Sequence, residues 1–579
     1  MPYRDHPALL SASSSGRRFN RRKFLGGAAA GLGTYAVLGG PAILTSRGAV
    51  ASGGSFSQSV ASGDPGTDAI TLWTRVAGIS GDRTVRLEVF KNSDGTGGVF
   101  DAPVPVLADN PIAKVRLDSL DAGEQYYYRF STDSDGSDLG RFRTARPPDS
   151  NEPVKIAFFS CQEFGSGFYH AHADLAKQDD IDLVICLGDY IYERAFDTAP
   201  APDGRKKQAG EAQTLDDYRK TYNFYNTDQD LLDMRAKHPM TAVWDDHEVE
   251  DNYAEMLPGG ATIKRSIPYR NRMANGYRAF FEYQPLFPVG GNQTRIYRSI
   301  RLGNAEIFLL DQRQYRDNQV CSPGDSFAAP NCPPTEYNKP GRTLLGKEQL
   351  AWLKSGLESS SATWKIVGNE VMIMSLEVGP RNPLNTDGWD GYGDERRQLI
   401  DHIDDKNILN VTFITGDIHT FFAGEVTRSG RLDGTERTRR PPDMDNGVIV
   451  GGVRRATEFV GGSITSKGIA DRLSTSDPRP TDAISEGGNA QVRSNNPHIK
   501  YSNQSRKGYA IMSTGEGADK NLRVEYRAVC NVMSQTDKSV VTLARFQVPQ
   551  GEKAPQVTGG ADITPCGPDD PFVPITRLP

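Results

Sequence analysis

Leu183-Val184-Ile185-Cys186-Leu187-Gly188-Asp189-Tyr190-Ile191-Tyr192 decides the fold. A short, unbroken apolar run closed by glycine and a carboxylate reads as a strand buried on both faces that ends in a turn carrying a polar group. The same construction recurs along the chain. Val154 to Phe159 ends in Ser160-Cys161-Gln162, Thr241 to Trp244 in Asp245-Asp246-His247-Glu248, and Ile307 to Leu310 in Asp311. Trp364 to Val367 ends in Gly368-Asn369-Glu370, and Val411 to Ile414 in Thr415-Gly416-Asp417-Ile418-His419. Helical stretches separate them at Gln213 to Tyr225, Ser266 to Tyr283, Lys347 to Ser355 and Glu395 to Lys406. This alternation predicts an α/β domain over 154–548, and in such folds ligands bind at the carboxyl ends of the strands.

Taken singly, each of these strand ends is what an ordinary turn uses. Gathered together they would repel one another and push their carboxyl pKa values up unless a multivalent cation sat among them. A metal cluster is therefore expected.

Upstream, Phe56 to Thr144 shows period-two alternation in Ile70 to Val76, Thr84 to Phe90, Ala113 to Leu117, Tyr126 to Ser131 and Gly140 to Thr144. This predicts a small antiparallel β-sandwich over 52–146, and Leu120, Gly123, Tyr126 and Tyr128 resemble the late part of a fibronectin type III or immunoglobulin-like domain. A Pro-rich linker, 147–153, follows. The Pro-rich stretch 549–579 reads as a partly ordered strap over the domain.

At the N-terminus, Arg17, Arg18, Arg21, Arg22 and Lys23 precede Phe24-Leu25 and a Gly/Ala-rich run, with Ala49-Val50-Ala51 as a small-residue cleavage site. That order is a secretory signal of the twin-arginine type over 1–51. The expectation is export by the twin-arginine translocase, a mature chain starting near Ser52, and a periplasmic, cell-surface or secreted protein. The route carries folded proteins, which favours a cofactor loaded before export. Gly31, Gly33, Gly39, Gly40 and Pro41 interrupt the apolar run, and no other stretch reaches the roughly 20 apolar residues of a membrane span. No stable span is expected in the mature protein.

The 579 residues carry 67 Lys+Arg against 73 Asp+Glu, a net charge of −6, which argues against a nucleic-acid partner. A hydrophobic fraction of 37% excludes a disordered chain. Cys321, Cys332, Cys530 and Cys566 are candidates for disulfides whose connectivity the sequence leaves open; Cys186 reads as a buried small hydrophobe. His170 and His172, two apart, read as a surface pair on different sides of a helix. Gly341 to Glu348 has P-loop spacing but ends in Glu and follows a Pro-rich loop, and no G-x-S-x-G elbow supports a serine hydrolase.

Gly188-Asp189-x-x-Tyr192 resembles the second motif of purple-acid-phosphatase-like metallophosphoesterases, in which the Asp bridges two metals and the Tyr binds a ferric ion. Asp246-His247-Glu248 falls where that superfamily carries Asn-His-Glu or Asn-His-Asp, and Gly416-Asp417-Ile418-His419 where it carries Gly-His-x-His. Cys161 stands in place of the first-motif Asp, Asp246 in place of Asn and Asp417 in place of His, while Val367-Gly368-Asn369-Glu370 lacks a terminal His. This variant set is similar to PhoD-type alkaline phosphatases, as are the segments Trp244 to Tyr253, Leu310 to Arg316 and Asn496 to Tyr501. The resemblance runs from the signal to about residue 548.

The resemblance implies a metallophosphoesterase-type β-sandwich flanked by helices for the α/β domain. It implies one metal bound by Cys161, Asp189, Tyr192 and His419, a thiolate, phenolate and imidazole set suited to Fe(III). A second metal would be bound by Asp189, Asp246 and Asp417 with Asn369 or Asn252, an oxygen-rich set suited to Ca(II). His247 is implied as the group that protonates the leaving alkoxide or binds a phosphoryl oxygen; Arg313 and His498 are secondary candidates for substrate contact, with a structural role as the stronger reading of each. The expected activity is that of an exported metal-dependent alkaline phosphatase, in which hydroxide held by the metals attacks the phosphorus of a phosphate ester in line. The alternative is a phosphodiesterase of phospholipase D type acting on phospholipids or cell-wall phosphodiesters with the same metals. A binding or adhesion protein with a relic α/β domain would show broken ligand positions, and every position here holds a competent ligand.

Overall fold

The computed structural model describes residues 36–38 and 50–566, except 81–82, 108, 197–199, 261–262, 322–331, 380–381, 429–443, 446–447, 450–453, 474–481, 516–518, 553–555 and 561–565. Most of the predicted signal and most of the predicted strap lie outside these residues; Ala36–Leu38, Val50 and Ala51 are the described part of the signal stretch. Residues from Ala36 onward form one compact unit. No helix among the described residues is long and apolar enough to cross a membrane.

Two four-stranded sheets open the described chain. One contains Val60–Gly63, Ala69–Arg75, Ile112–Asp118 and the segment Ala36–Leu38; the other contains Thr84–Phe90, Gly98–Pro105, Gln125–Ser131 and Gly140–Arg143. Alternation in Gln125–Ser131 turns Tyr126, Tyr128 and Phe130 inward, where they meet Leu72, Leu87, Val115 and Phe142. Ala69–Arg75 departs from alternation because both of its faces are covered. Leu72 faces the sandwich core, whereas Trp73 belongs to the core of the larger domain and donates from Nε1 to the Glu282 carbonyl at 2.8 Å. On the neighbouring strand the buried Lys114 ammonium donates to the carbonyls of Phe281 and Leu286, the latter at 2.9 Å, near the C-terminus of helix Tyr269–Tyr283. A cation is favoured at that end of a helix, although burial pushes this lysine down to about 7.

The larger domain packs two seven-stranded sheets face to face. Its strands are β1 (Lys155–Phe159), β2 (Leu183–Leu187), β3 (Met240–Val243), β4 (Arg298–Leu302), β5 (Ala305–Leu309), β6 (Trp364–Asn369) and β7 (Val411–Thr415), followed by β8 (Phe421–Thr427), β9 (Arg454–Val460), β10 (Ile499–Asn503), β11 (Lys507–Ser513), β12 (Leu522–Val529), β13 (Val540–Val548) and β14 (Thr558–Gly560). The first sheet runs β3-β2-β1-β11-β12-β13-β14 and the second β4-β5-β6-β7-β9-β8-β10. β3, β2 and β1 are parallel, as are β5, β6, β7 and β9, so each sheet collects several carboxyl strand ends on one edge. Helices Leu215–Tyr225, Tyr269–Tyr283, Gly346–Ser359 and Gly393–Asp405 fall on the four stretches whose periodicity predicted them. The first is started by a capping box, Thr214 accepting from the Asp217 amide at 3.2 Å while Asp217 accepts from the Thr214 amide at 2.9 Å.

Cys321 pairs with Cys332 and Cys530 with Cys566. Cys161 and Cys186 are free and buried. His170 and His172 are not a surface pair. The short helix His170–Leu175 is wrapped on both sides, leaving the two side chains 1% and 0% exposed, with His172 Nε2 2.7 Å from Gln162 Oε1 and His170 Nε2 2.7 Å from the Ser534 carbonyl. Burial of an imidazole is tolerated here because each finds a hydrogen-bond partner.

Candidate metal centre

Four strand ends converge. Cys161 follows β1, Asp189 follows β2, Asp245, Asp246 and His247 follow β3, and Asp417 and His419 follow β7 of the opposite sheet. Ligand atoms of Cys161, Asp189 and His419 lie within 4.8 Å of one another, as do those of Asp189, Asp246 and His247, and those of Asp245, Asp246 and Asp417. Asp189 belongs to the first two groups and Asp246 to the last two, so the three form one continuous cluster.

The turns that aim these groups are strained. Cys161 (φ 59°), Asp189 (54°), Asn252 (56°), Asp417 (63°) and His419 (55°) all lie in the left-handed region, which side chains other than glycine seldom occupy. Five candidate ligands in that region indicate backbone bent to point side chains inward. Gly188 permits the tightest approach, since a Cβ there would sit 2.4 Å from Asp245 Cβ and its φ is +102°. Gly188→Ala is expected to lower stability by about 3 kcal/mol, read as a reduced urea midpoint; an unchanged midpoint would show that the β2 and β3 ends have room to part.

Glu248, third in the Asp-His-Glu motif, binds backbone instead of facing the cluster. Its carboxylate accepts from the amides of Asp189 (3.1 Å), Tyr190 (2.7 Å) and Asp245 (2.9 Å), fixing two strand ends against each other. Helix Leu215–Tyr225 buttresses the same turn, because the Tyr225 hydroxyl accepts from the Tyr192 amide at 3.1 Å. The Tyr192 hydroxyl donates to Asp189 Oδ2 at 3.1 Å, stands 3.2 Å from His419 Nε2, and accepts from Ser466 at 2.8 Å. His419 Nδ1 is 2.7 Å from the Lys467 carbonyl, which leaves Nε2 directed at the cluster.

His247 is caged. Its Nδ1 lies 2.8 Å from the fully buried Glu193, its ring stacks on Tyr192 at 4.1 Å, and Phe196 meets it edge-on at 4.5 Å. Burial opposes a charge on this ring, yet Asp246, Asp189 and Glu193 outweigh it and hold the imidazole well above its ordinary pKa. For the carboxyls the balance differs. Burial, then repulsion from Asp246, Asp245 and Glu248, lifts Asp189 well above the carboxylate range, and burial with Asp245 and Asp387 does the same to Asp417. Burial raises Asp246 too, but Arg313, His247 and the Asn252 amide at 2.6 Å bring it below its usual value. Burial also pushes the Cys161 thiol and the Tyr192 phenol up.

The donor set fits a pair of multivalent cations. Two acids pushed well above the carboxylate range by burial and by neighbouring carboxylates, with a thiol and a phenol pushed the same way, lack positive charge, which a metal supplies. Cys161, Asp189, Tyr192 and His419 combine soft and phenolic donors; Asp189, Asp246 and Asp417 offer oxygen only.

Three of the candidate residues are engaged by the protein's own groups. Asn369 is spent on the protein: its amide hydrogens go to Thr415 Oγ1 (3.2 Å) and the Val371 carbonyl, and its oxygen accepts from Trp389 Nε1 (3.0 Å) and Gln312. With both hydrogens and both lone pairs engaged it has nothing left for a metal. Arg313 is 0% exposed and clasped by Asp245 and Asp387, the latter at 2.8 Å, so it holds carboxylates in place of substrate. His498 is 1% exposed beside β10, 2.8 Å from the Ser375 carbonyl, and burial drives it down to about 4. Asp311, another polar strand end, is likewise committed, to Trp244 Nε1 at 3.2 Å and to Gln314. Asn252 is half-buried beside Asp246 through its amide. Sequence reasoning missed Asp245, Glu193 and Ser466 as members of the site. The acidic doublet Asp245-Asp246 and the acid following Tyr192 were visible signals for the first two; Ser466 had none.

Comparison with known proteins places this geometry in context. A family model described as PhoD-like phosphatase matches residues 156–522, and one described as PhoD-like phosphatase, N-terminal domain, matches residues 44–146. Alkaline phosphatase D of Bacillus subtilis (strain 168) is 35% identical over 531 residues, covering 86% of this chain and 83% of that protein. A solved structure described as PhoD superposes with a TM-score of 0.74 at 30% identity, covering 88% of this chain and 93% of the other.

Proposed function

The chain belongs to the PhoD-like phosphatase family and is a hydrolase of phosphoric ester bonds, and from that premise we propose that it is an exported, metal-dependent alkaline phosphatase releasing phosphate from organic phosphate esters. The observation that carries the reading is the continuous cluster in which Asp189 is shared between Cys161 and His419 on one side and Asp246 on the other. Cys161, Asp189, Tyr192 and His419 would hold Fe(III); Asp189, Asp246 and Asp417, with Asn252 at the rim, would hold Ca(II). Metals bound there would supply positive charge to the phosphoryl oxygens and acidify the attacking water. The sandwich over 52–146 and the domain over 154–548 would be the two parts of the exported enzyme, and Arg21-Arg22 would direct it to the twin-arginine translocase.

The protein's own groups then have distinct tasks. Glu193 orients His247 through Nδ1, and the Tyr192 and Phe196 rings fix the plane of the imidazole. Nε2 remains as the edge that donates to the leaving oxygen. Burial of the cluster excludes water and strengthens each charge interaction in it.

The test is elemental analysis of protein exported by its own signal, run beside hydrolysis of p-nitrophenyl phosphate and bis-p-nitrophenyl phosphate with and without calcium. The proposal expects iron near one equivalent and calcium-dependent release from the monoester. Preference for the diester would assign the phosphodiesterase activity instead, and protein free of metal and inactive on both would overturn the metal reading. Cys161→Ser is expected to bleach the visible absorption of a ferric thiolate and phenolate centre, since a hydroxyl is a much poorer donor to iron; an unchanged spectrum would put Cys161 outside the iron's ligands.

A further inference from the structure

We propose that Arg313 sets the charge of the second metal position, and thereby which ions it accepts, by keeping Asp245 out of the ligand set. The inference rests on the metal reading above and concerns a buried arginine clasped by Asp245 and Asp387.

Asp245, Asp246 and Asp417 offer oxygens within 4.8 Å of one another, so distance alone would admit all three to one cation. What separates them is the guanidinium. Arg313 Nε donates to Asp245 Oδ1 and Nη1 stands 2.8 Å from Asp387 Oδ2. Nη2 faces the other two acids at a distance, 3.7 Å from Asp246 Oδ1 and 3.6 Å from Asp417 Oδ1, and makes no hydrogen bond. One side chain thus grips Asp245 by a hydrogen bond and only approaches Asp246 and Asp417.

Charge arithmetic gives this arrangement its consequence. Asp387 is shared with Arg316, whose Nη2 lies 2.7 Å from Asp387 Oδ1 and whose Nε donates to the Tyr392 hydroxyl at 2.9 Å. Arg313 and Arg316 together neutralise Asp245 and Asp387. Asp189, Asp246 and Asp417 remain to be balanced by an ion. Asp245 Oδ2 is buried and makes no hydrogen bond, so a released Asp245 already stands beside the cluster with an unused oxygen. A fourth carboxylate at the position favours a trivalent over a divalent ion, because each added negative charge attracts the higher charge more strongly. The planar fork of arginine suits this task, since it fixes Asp245 and Asp387 in set directions.

The experiment titrates chelator-stripped full-length protein with calcium and, separately, with terbium, following heat of binding and terbium luminescence. Arg313→Gln is expected to raise the ratio of terbium to calcium affinity by about tenfold. The double variant Asp245→Asn with Arg313→Gln removes the extra charge and is expected to return the ratio and the calcium affinity to those of the wild type. Loss of both partners of a buried ion pair is better tolerated than loss of one, so the double variant shows whether Asp245 is itself a ligand even where Arg313→Gln alone fails to fold. An unchanged ratio in Arg313→Gln, or a double variant that loses more than about tenfold in calcium affinity, would overturn the proposal, the latter by showing that Asp245 is itself a ligand. Wild-type protein that takes up neither ion overturns this inference and the metal reading together.

Discussion

Asp189→Asn is expected to reduce phosphate release from p-nitrophenyl phosphate by about three orders of magnitude, equivalent to roughly 4 kcal/mol of transition-state stabilisation. The substitution is nearly isosteric. Asp189 accepts from the Tyr192 hydroxyl at 3.1 Å and from the His247 amide at 3.4 Å, and an asparagine oxygen can keep one of these contacts while removing the negative charge. Since Asp189 joins the Cys161 and His419 group to the Asp246 group, its charge serves both sides of the cluster at once. Metal content should therefore fall together with turnover. Cys186→Ala is the matching control, because Cys186 is buried in β2 one turn before Asp189 yet belongs to no ligand group. Its turnover should stay at the wild-type level. Near-wild-type activity in Asp189→Asn would remove Asp189, and with it the shared centre, from the mechanism.

In the presence of chelator the protein's thermal stability should fall as pH rises, by a few kcal/mol between about pH 5 and pH 8. Burial lifts Asp245 to about 6, Glu248 to about 7 and Asp251 to about 7, from ordinary values of 3.8, 4.5 and 3.8, with the Asp245 and Asp251 shifts only partly offset by Arg313 and His247 respectively. Groups with raised folded pKa values bind more protons in the folded than in the unfolded state across that window, so their stabilising contribution is present at low pH and lost as pH rises through the folded values. Asp246 and Glu193 are shifted down and act in the opposite sense, but their contribution is already complete above the unfolded carboxylate range and leaves the slope unchanged. His247, held above its ordinary value, adds to the loss at the upper end. Calcium should flatten the dependence by supplying the missing positive charge. Calorimetry at several pH values, with chelator and with calcium, checks this; a melting temperature that climbs with pH in chelator would contradict the electrostatic account of the site.

How much of this was legible in advance differs from residue to residue. Leu183 to Leu187 announced β2 because a strand covered on both faces must be apolar throughout, and Gly188-Asp189 announced its turn because little else fits where the β2 and β3 ends touch. Thr214 and Asp217 marked a helix start by local hydrogen bonding. Such signals are complete within a few residues. Asn369 and Asp311 looked equivalent to Asp189 on that evidence alone, each a polar group closing a buried run, yet the structure ties them to Trp389, Gln312, Trp244 and Gln314.

The sequence by itself determined the strands, the chemistry at their carboxyl ends, the alternating sandwich and the existence of a polar cluster, because each depends on apolar periodicity and turn residues that are neighbours in the chain. Only the tertiary structure decided which ends meet. That β3, β2 and β1 align in one sheet while β7 brings Asp417 and His419 from the other depends on pairings between segments far apart in the chain, such as β1 with β11. The same long-range packing buried Arg313 among Asp245 and Asp387, sent His498 to the Ser375 carbonyl, and put Glu193 behind His247. Burial and charge neighbours set the role of an ionisable side chain, and both arise from residues that the local sequence does not contain.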